Sequence, residues 1–170
     1  MDQMARHIVI DVETTGLAVR SGGRVIEVGA VAVENGIIAG EFETLIDTGA
    51  AISYSAWRVH GISEAMLTGK PTPLEVWPQL LDFIGNTDLV AHNASFDSAF
   101  VRHELAFLGY GLANRWHCTV RLARKKLPDL PNHKLDTVYR YLFGEIPAGV
   151  NRHRALDDAR MAAMIWMKLS

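Results

Sequence analysis

RVIEVGAVAVENGIIAGEFETLI, residues 24–46, contains the clearest structural signal in the sequence. Residues 24–34 are rich in β-branched side chains, and an apolar pattern resumes at 37–46 after Asn35-Gly36. Asn-Gly between two such runs is typical of a two-residue β-hairpin turn, because both central positions need a positive φ. The stretch therefore predicts two long antiparallel strands of one sheet.

The rest of the chain alternates extended and helical patterns around that hairpin. The β-branched run at 7–12 predicts a buried strand, and 88–91 and 116–120 predict two short ones. Residues 47–73, punctuated by glycine and proline, are expected to form a loop region. Helices are predicted at 74–84, 95–108, 121–127, 134–143 and 155–169. An antiparallel start followed by alternating helices and short strands predicts an α/β fold with helices on the sheet faces.

Length and composition predict one ordinary domain, residues 1–170. The chain has 170 residues, of which 49% are hydrophobic, which is enough for a real core. Apolar runs are short and interrupted by charges, so no membrane span is expected, and the N-terminus shows no signal peptide. The single Cys118 excludes an internal disulfide and suits a reducing compartment. These features predict a cytoplasmic protein.

Charge is unevenly distributed, although the net charge is only −2. Residues 1–85 hold 5 Lys/Arg against 11 Asp/Glu, whereas residues 86–170 hold 12 against 8. An acidic centre beside a basic surface suits a phosphate polymer held through metal ions, although ordinary surface variation explains these numbers equally well. The basic run from Arg115 to Lys126 likewise fits either phosphate contacts or a solvated helix face.

Two carboxylates, Asp11 and Glu13, follow the apolar start of the first strand in IVIDVETTGL. Residues two apart on a strand project from the same face, so both acids should meet whatever covers that face. They repel each other in a half-buried site unless protons or cations compensate. The small tripeptide Thr14-Thr15-Gly16 after them lets a ligand approach the backbone closely. The alternative is that both acids simply end a strand in solvent.

A third carboxylate, Asp97, falls in the first turn of the helix predicted at 95–108. It lies in an apolar stripe of that helix, formed by Phe96, Phe100, Val101, Phe107 and Leu108. Glu104 falls in the same stripe, but Asp97 is one turn nearer the strand that ends at Ala91. An aspartate in a first turn also has a plain structural explanation, since it interacts favourably with the helix dipole.

Neighbouring aspartates begin the last predicted helix in HRALDDA, residues 153–159. Helical periodicity places Asp158 at the edge of the apolar face and Asp157 on the opposite side, towards water. We therefore predict that Asp158 points inward. His153 precedes the helix and carries an imidazole, the side chain most often used as a general base.

Four inward carboxylates would be too many acids for one core without metal. Carboxylate-rich, all-oxygen sites suit hard cations such as Mg²⁺ or Mn²⁺, and two such ions can hold both oxygens of a phosphoryl displacement. His153 would then take a proton from the attacking water. Asp136 is expected to belong to its own helix rather than to the metals. No zinc site is expected among the remaining histidines, which lack local ligand spacing: His92, His103, His117 and His133.

Three motifs together resemble those of the DEDD-type 3′→5′ exonucleases: DVETTGL with Asp11 and Glu13, HNASFD with Asp97, and HRALDDA with His153 and Asp158. The histidine five residues before the last aspartate resembles the DEDDh subgroup. That subgroup includes the proofreading subunit of bacterial DNA polymerase III, the exonuclease segment of PolC-type polymerases, ribonuclease T and oligoribonuclease. VHGIS at 59–63 and LPNHKLDTV at 130–138 also resemble the proofreading group.

The resemblance implies a ribonuclease H-like mixed sheet flanked by helices on both faces. It implies that two divalent ions, Mg²⁺ or Mn²⁺, are bound by Asp11, Glu13, Asp97 and Asp158. It further implies that His153 is the general base and that nucleoside 5′-monophosphates are released from a 3′ end. His60 has a structural loop role as its alternative. The pocket for the terminal nucleotide is expected to be lined by Thr14, Thr15, Gly16, Leu17, His60, Asn93 and Phe96.

The expected activity is exonucleolytic cleavage of single-stranded or frayed DNA 3′ ends, in proofreading, repair or end trimming. The same chemistry on RNA is the nearest alternative, and the LPNHKLDTV stretch favours DNA. A non-catalytic nucleic-acid-binding module would be expected to have lost an acid or the histidine. A haloacid dehalogenase-type phosphatase fits less well, because its chemistry resembles an Asp-x-Asp motif at the first strand. In this chain the second acid is Glu13 instead. Because the chain ends at Ser170 without a tail for a polymerase, a free-standing or repair-associated enzyme is preferred over a polymerase-bound one.

Overall fold

The computed structural model describes residues 6–170. Within that range five strands form one sheet: β1 (His7–Thr14), β2 (Val25–Glu34), β3 (Ile37–Leu45), β4 (Asp88–Ala91) and β5 (Trp116–Cys118). Their spatial order is β3-β2-β1-β4-β5. The first three pair antiparallel, whereas β1, β4 and β5 run parallel. The predicted α/β class and mixed sheet are confirmed. The expectation of no signal peptide rests partly on residues 1–5, which lie outside the described residues.

The hairpin predicted at Asn35-Gly36 is present between β2 and β3. Both turn residues have positive φ, 52° and 74°, as this turn requires to match the twist of the strands. β2 is buried along almost its whole length because β1 and β3 flank it, whereas β3 forms an exposed edge of the sheet. The central strands β1 and β2 therefore provide the platform on which the helices pack.

Helices cover both faces of this sheet. In the described part of the chain the α-helices are α1 (Tyr54–His60), α2 (Glu64–Leu67), α3 (Pro73–Ile84), α4 (Ala94–Phe107), α5 (Thr119–Lys126), α6 (Leu135–Phe143) and α7 (Ala155–Leu169). α3 and α4 pack against one face, where Ile8 and Ile10 of β1 lie. α5, α6 and α7 pack against the other face, where Val9 lies. None of the helices in residues 6–170 has the length and apolarity needed to cross a bilayer.

The start of α7 crosses β2 in close contact at Gly29. A Cβ atom on Gly29 would lie 2.3 Å from the Leu156 nitrogen and 2.4 Å from the Ala155 carbonyl carbon. Both are backbone atoms, so only glycine permits this approach. Because Gly29 pairs with Asp11 across the sheet, this contact places the first turn of α7 beside the acidic end of β1.

Two short helices occupy part of the expected loop region. α1 and α2 begin after serines, and the hydroxyls of Ser53 and Ser63 accept hydrogen bonds from the Ala56 and Met66 amides. α1 exposes most of its side chains and α2 has only four residues, so neither shows the apolar periodicity that signals a helix. The expectation of a structureless region was therefore wrong here.

Two smaller expectations also differ from the structure. The strand predicted to run to residue 120 ends at Cys118, because the Val120 amide donates to the His92 carbonyl at 3.2 Å and α5 has already begun. Phe107 does not belong to the buried stripe of α4, since it is 67% exposed at the last residue of the helix. There it packs edge-on against His103 instead of the core.

Candidate active site

Asp11 and Glu13 project from the face of β1 that α7 covers. Val9, two residues earlier on the same face, lies in the core beneath α7. Both carboxylates are half-buried rather than free in solvent. Glu13 lies opposite Glu27 in the pairing of β1 with β2, so a third acid approaches the same place. The shared face predicted for Asp11 and Glu13 is confirmed.

Asp97 reaches the same end of β1 from α4. This helix starts shortly after β4 ends, and Asp97 in its first turn is only 4% exposed. Its Oδ1 accepts a hydrogen bond from the Val12 amide at 3.2 Å. Since Val12 separates Asp11 from Glu13, Asp97 is held directly beside both. A favourable dipole interaction alone does not account for this bond between residues 85 positions apart.

Glu104 lies in the same helix but has a different environment. Its carboxylate accepts hydrogen bonds from Nε and Nη2 of Arg24, at 2.8 and 2.9 Å, and from the Val25 amide at 3.0 Å. A buried carboxylate with a bidentate arginine and a backbone donor is fully satisfied. Glu104 therefore joins α4 to β2, and these bonds distinguish it from Asp97, which periodicity alone could not do.

Asp158 and Asp157 face different partners at the start of α7. Asp158 is 5% exposed, and its two carboxylate oxygens each lie 3.3 Å from the His153 amide. Asp157 is only partly buried and pairs with Arg160 at 2.9 Å, on the outer side of the helix. The inward placement of Asp158 is confirmed. Asp157 is less exposed than expected, because it also accepts a hydrogen bond from the Asn151 amide.

His153 lies at the mouth of the acidic cluster. Its side chain is exposed, and its backbone has a φ of 64°, which is uncommon outside glycine. One ring nitrogen lies within 4.8 Å of carboxylate oxygens of both Glu13 and Asp158. The imidazole is therefore close to the carboxylates and in contact with solvent at the same time.

Two arginines, which the sequence analysis did not single out, hold the chain on either side of this histidine. Arg152 contacts the carboxylates of Asp158 and Asp136. Arg154 forms a bidentate pair with the fully buried Glu27, and its Nη2 lies 2.6 Å from Oε1. Asp136 lies on α6, as predicted, and its partner there is Arg152. The only local signal was the alternation Arg-His-Arg, which does not identify the acidic partners.

Burial raises the pKa of all four carboxyl groups, and repulsion from neighbouring carboxylates raises it further at Asp11, Glu13 and Asp97. Loss of hydration is the largest cause in each case. The pKa of Glu13 rises to about 9 and that of Asp97 to about 7. The pKa of Asp11 and that of Asp158 are also raised. Burial favours the protonated form of these carboxyl groups, whereas a bound cation favours the ionised form. A cation would therefore stabilise this cluster more than it would stabilise exposed carboxylates.

The donor set fits hard divalent cations. Carboxylate oxygens are the preferred ligands of Mg²⁺ and Mn²⁺, and four carboxylates converge here. Arg152 is the cation that lowers the pKa of both Asp11 and Glu13, and a single guanidinium does not balance four acids. The residues present could therefore hold the divalent ions that the exonuclease motifs imply.

Two grooves meet at Leu17 beside this cluster. One, of about 430 Å³, is lined in part by Leu17, Asn93 and Phe96. The other, of about 440 Å³, is lined in part by Thr15, Gly16 and Leu17. Leu17 is 81% exposed, so an apolar side chain lies largely in solvent between the grooves. Five of the expected pocket residues therefore lie along these two grooves.

The other two expected pocket residues bind the backbone. The Thr14 hydroxyl donates to the Gly16 carbonyl at 2.7 Å. His60 Nδ1 accepts from the Ile62 amide at 3.0 Å, so Nε2 carries the proton and donates to the Thr14 carbonyl at 3.1 Å. Burial lowers the pKa of His60, consistent with this neutral form. Both ring nitrogens are occupied, which matches the alternative of a structural role in the loop.

Comparison with known proteins identifies relatives of the whole described chain. The model of the exonuclease family, RNase_T, matches residues 8–166. The chain is 40% identical over 159 residues to the PolC-type DNA polymerase III of Clostridium perfringens, covering 94% of this chain and 11% of that protein. It is 39% identical over 163 residues to DNA polymerase III subunit epsilon of Aquifex aeolicus, covering 95% of this chain and 79% of the subunit. The chain thus spans a small part of the polymerase but most of the subunit.

Solved structures show the same fold. Exonuclease X in complex with 5′ overhanging duplex DNA is similar with a TM-score of 0.79 and 30% identity, over 96% of this chain and 90% of that one. The nuclease domain of 3′hExo, a DEDDh family member bound to rAMP, reaches a TM-score of 0.80 at 17% identity, over 97% and 91%. The expected ribonuclease H-like architecture is confirmed. The family match along nearly the whole sequence, together with the polymerase III relatives, shows that this chain belongs to the RNase_T exonuclease family.

Proposed function

We propose that this protein is a divalent-metal-dependent 3′→5′ exonuclease that releases nucleoside 5′-monophosphates from single-stranded or frayed DNA ends. The observation that supports this most directly is the convergence of four carboxyls with raised pKa and an exposed imidazole beside an open groove. A phosphodiester would be repelled by such a cluster alone. Divalent cations between the acids and the phosphate remove that repulsion, which connects the electrostatics to the reaction.

Asp11, Glu13, Asp97 and Asp158 would hold two ions, Mg²⁺ or Mn²⁺. When bound, such ions supply Lewis-acid stabilisation of the charge that develops on the transferring phosphoryl group and its leaving oxygen. The chain contributes a rigid arrangement of ligands. The Val12 amide orients Asp97, and the His153 amide orients Asp158, so two ligands from distant helices are fixed by backbone donors.

His153 is the proposed general base. Its ring is exposed and can accept a proton from the water that attacks the phosphorus, and it lies near Glu13 and Asp158 rather than in the core. The backbone amide of His153 also donates a hydrogen bond to the Asp158 carboxylate, and this bond restricts the distance between the His153 imidazole and Asp158. Arg154, the residue after His153, is anchored by its pair with Glu27, and this contact positions the proposed base.

The grooves at Leu17 are the proposed site of the 3′-terminal nucleotides. Their volumes, about 430 and 440 Å³, lie in the range of small-ligand sites. Leu17 and Phe96 provide apolar surface on which bases can stack, and Asn93 adds a polar side chain at the start of α4. We propose that Thr14 and His60 support this pocket through the backbone instead of contacting the nucleotide.

DNA is the proposed substrate, and a polymerase or repair assembly the proposed partner. The support comes from the relatives at 39–40% identity, which carry the names of DNA polymerase III proteins. Residues 6–170 are proposed to act as one domain, because a single sheet runs between both cores.

The test compares three substrates in Mg²⁺ or Mn²⁺: a 5′-labelled linear single-stranded DNA, a circular single-stranded DNA and a linear RNA. We expect the linear DNA to shorten stepwise, the circle to persist and a chelator to stop the reaction. Asp97→Asn should abolish activity, whereas Asp129→Asn, at an exposed carboxylate outside the cluster, should retain it. Cleavage of the circle at a comparable rate would overturn the exonuclease assignment. Faster loss of RNA than of DNA would make RNA the substrate.

A further inference from the structure

A second group of metal-binding side chain types lies at the opposite end of the parallel strands. His7 and Asp88 are the first residues of β1 and β4 and pair in register. His117 of β5 pairs with Val90, which lies two residues after Asp88. Since residues two apart share a face, all three side chains project from the same face of the sheet. One ligand atom from each lies within 4.8 Å of the others.

The two imidazole rings are held by an aromatic neighbour. The ring centroid of Trp166, on α7, lies 5.1 Å from those of both His7 and His117. The imidazoles meet each other edge to face, 5.9 Å apart, and His117 Nε2 lies 2.7 Å from Asp88 Oδ2. All three ligand residues are half-buried. Side chains already restricted by their surroundings lose less freedom when they bind a ligand, so this cluster is preorganised.

We propose that His7, Asp88 and His117 form a binding site for Zn²⁺ or a similar borderline transition-metal ion. Two imidazole nitrogens and one carboxylate oxygen are an established zinc ligand set, with the fourth position open to water or another ligand. Mg²⁺ and Ca²⁺ prefer several oxygen ligands, and this cluster offers a single carboxylate. The choice of donors therefore selects a different class of metal from that of the carboxylate cluster at Asp11.

The surrounding charge makes coordination, and not net attraction, the source of affinity at this site. Arg115, Arg121 and Lys125 line the adjoining groove of about 400 Å³, together with His117 and Trp166. Positive side chains repel every divalent cation to a similar extent, so an ion must be held here by its coordinate bonds with the two imidazoles. The groove also gives the site a route for metal exchange with solvent.

The site is separate from the catalytic carboxylates. His7 precedes Asp11 by four residues, which corresponds to roughly 13 Å along a strand at about 3.3 Å per residue. A metal at His7 would join the first residues of β1 and β4 to β5, beside the C-terminal part of α7. Binding only to the folded chain stabilises it by mass action, so zinc should raise the melting temperature. This inference does not depend on the proposed exonuclease activity.

The test uses untagged full-length protein carrying Asp97→Asn and Asp158→Asn, which weaken metal binding at the carboxylate cluster. Calorimetric titration with Zn²⁺ should show one ion per chain, and the melting temperature should rise. Adding His117→Ala should remove both effects. Adding His103→Ala, a half-buried histidine outside both clusters, should remove neither.

X-ray absorption of the zinc-loaded double variant provides a second readout that requires no change at the proposed ligands. Two imidazole nitrogens and one oxygen from the chain are expected around the metal. Asp88→Asn, which keeps the shape of the side chain, should weaken zinc binding while leaving the protein folded. Absence of zinc binding to the double variant, binding without imidazole scattering, or binding unaffected by His117→Ala would each overturn the proposal.

Discussion

Asp97→Asn should stabilise the protein when divalent cations are removed, even though it should abolish activity. Burial raises the pKa of Asp97 from the ordinary 3.8 to about 7. The folded state therefore holds a proton that the unfolded chain releases, and stability falls as the pH rises from about 4 to about 7. A rise of about 3 pKa units at 1.36 kcal/mol per unit means that ionised Asp97 costs the folded state about 4 kcal/mol at pH 8. Asparagine avoids this cost, and its side-chain oxygen can still accept from the Val12 amide.

The measurement is urea denaturation in a chelator at several pH values between 4 and 8, for wild type, Asp97→Asn and the exposed-site control Asp129→Asn. The gap between Asp97→Asn and wild type should be small at pH 4 and reach its full size near pH 8. Both proteins should also share a further loss of stability as the pH rises, because Glu13, with a pKa of about 9, is present in each. Added Mg²⁺ should stabilise wild type far more than the variant. Equal stability at every pH, or a less stable variant at pH 8, would refute the electrostatic argument.

Three further predictions test the geometry around α7, and two of them include a control substitution. Asp158→Asn should abolish metal-dependent turnover, whereas Asp157→Asn should cost about 1 kcal/mol of stability or less; steady-state rates and thermal melts with and without Mg²⁺ compare them, and a larger activity loss in Asp157→Asn would contradict the orientation of the helix. His153→Ala should lower turnover by about 10²–10⁴-fold while the Mg²⁺-induced rise in melting temperature persists; unchanged turnover would leave the histidine a structural role only. Gly29→Ala should lower the free energy of unfolding by about 3 kcal/mol or more, since its Cβ would meet the backbone of α7, whereas Gly111→Ala, with no atom within 4 Å, should be nearly neutral in the same urea titration. Equal stability of the two alanine variants would show that α7 moves away from β2 at no cost.

Features of the fold that depend on local periodicity could be predicted from the sequence. The Asn35-Gly36 turn follows from the φ values that two adjacent residues must adopt, and the inward direction of Asp158 follows from its helical phase. Asp97 was placed in the correct stripe by the same reasoning. To distinguish Asp97 from Glu104, however, one must know that Arg24 neutralises Glu104 and not Asp97.

Features that depend on contacts between distant residues could not be predicted. Glu27 and Arg154 lie 127 positions apart, and nothing near either residue indicates the other. From the sequence, Gly29 is a residue with low strand propensity in the middle of β2. Its role becomes clear only from the structure, in which α7 crosses β2 at this residue. The group formed by His7, Asp88 and His117 takes one ligand from each of three strands, so no ligand spacing appears along the chain. The expectation that His117 takes no part in a metal site rested on that missing spacing.

The two arginine contacts on either side of His153 have a consequence for how this enzyme can diversify. Arg152 and Arg154 fix the backbone just before and just after the histidine, so displacements further upstream are not passed on to the imidazole. The exposed residues 147–149 of the connection between α6 and α7 are therefore free to change in length and composition, whereas Ile146 and Val150 beside them pack against the core. Insertions there can create new recognition surfaces at the entrance of the site while the geometry around His153 and Asp158 stays the same.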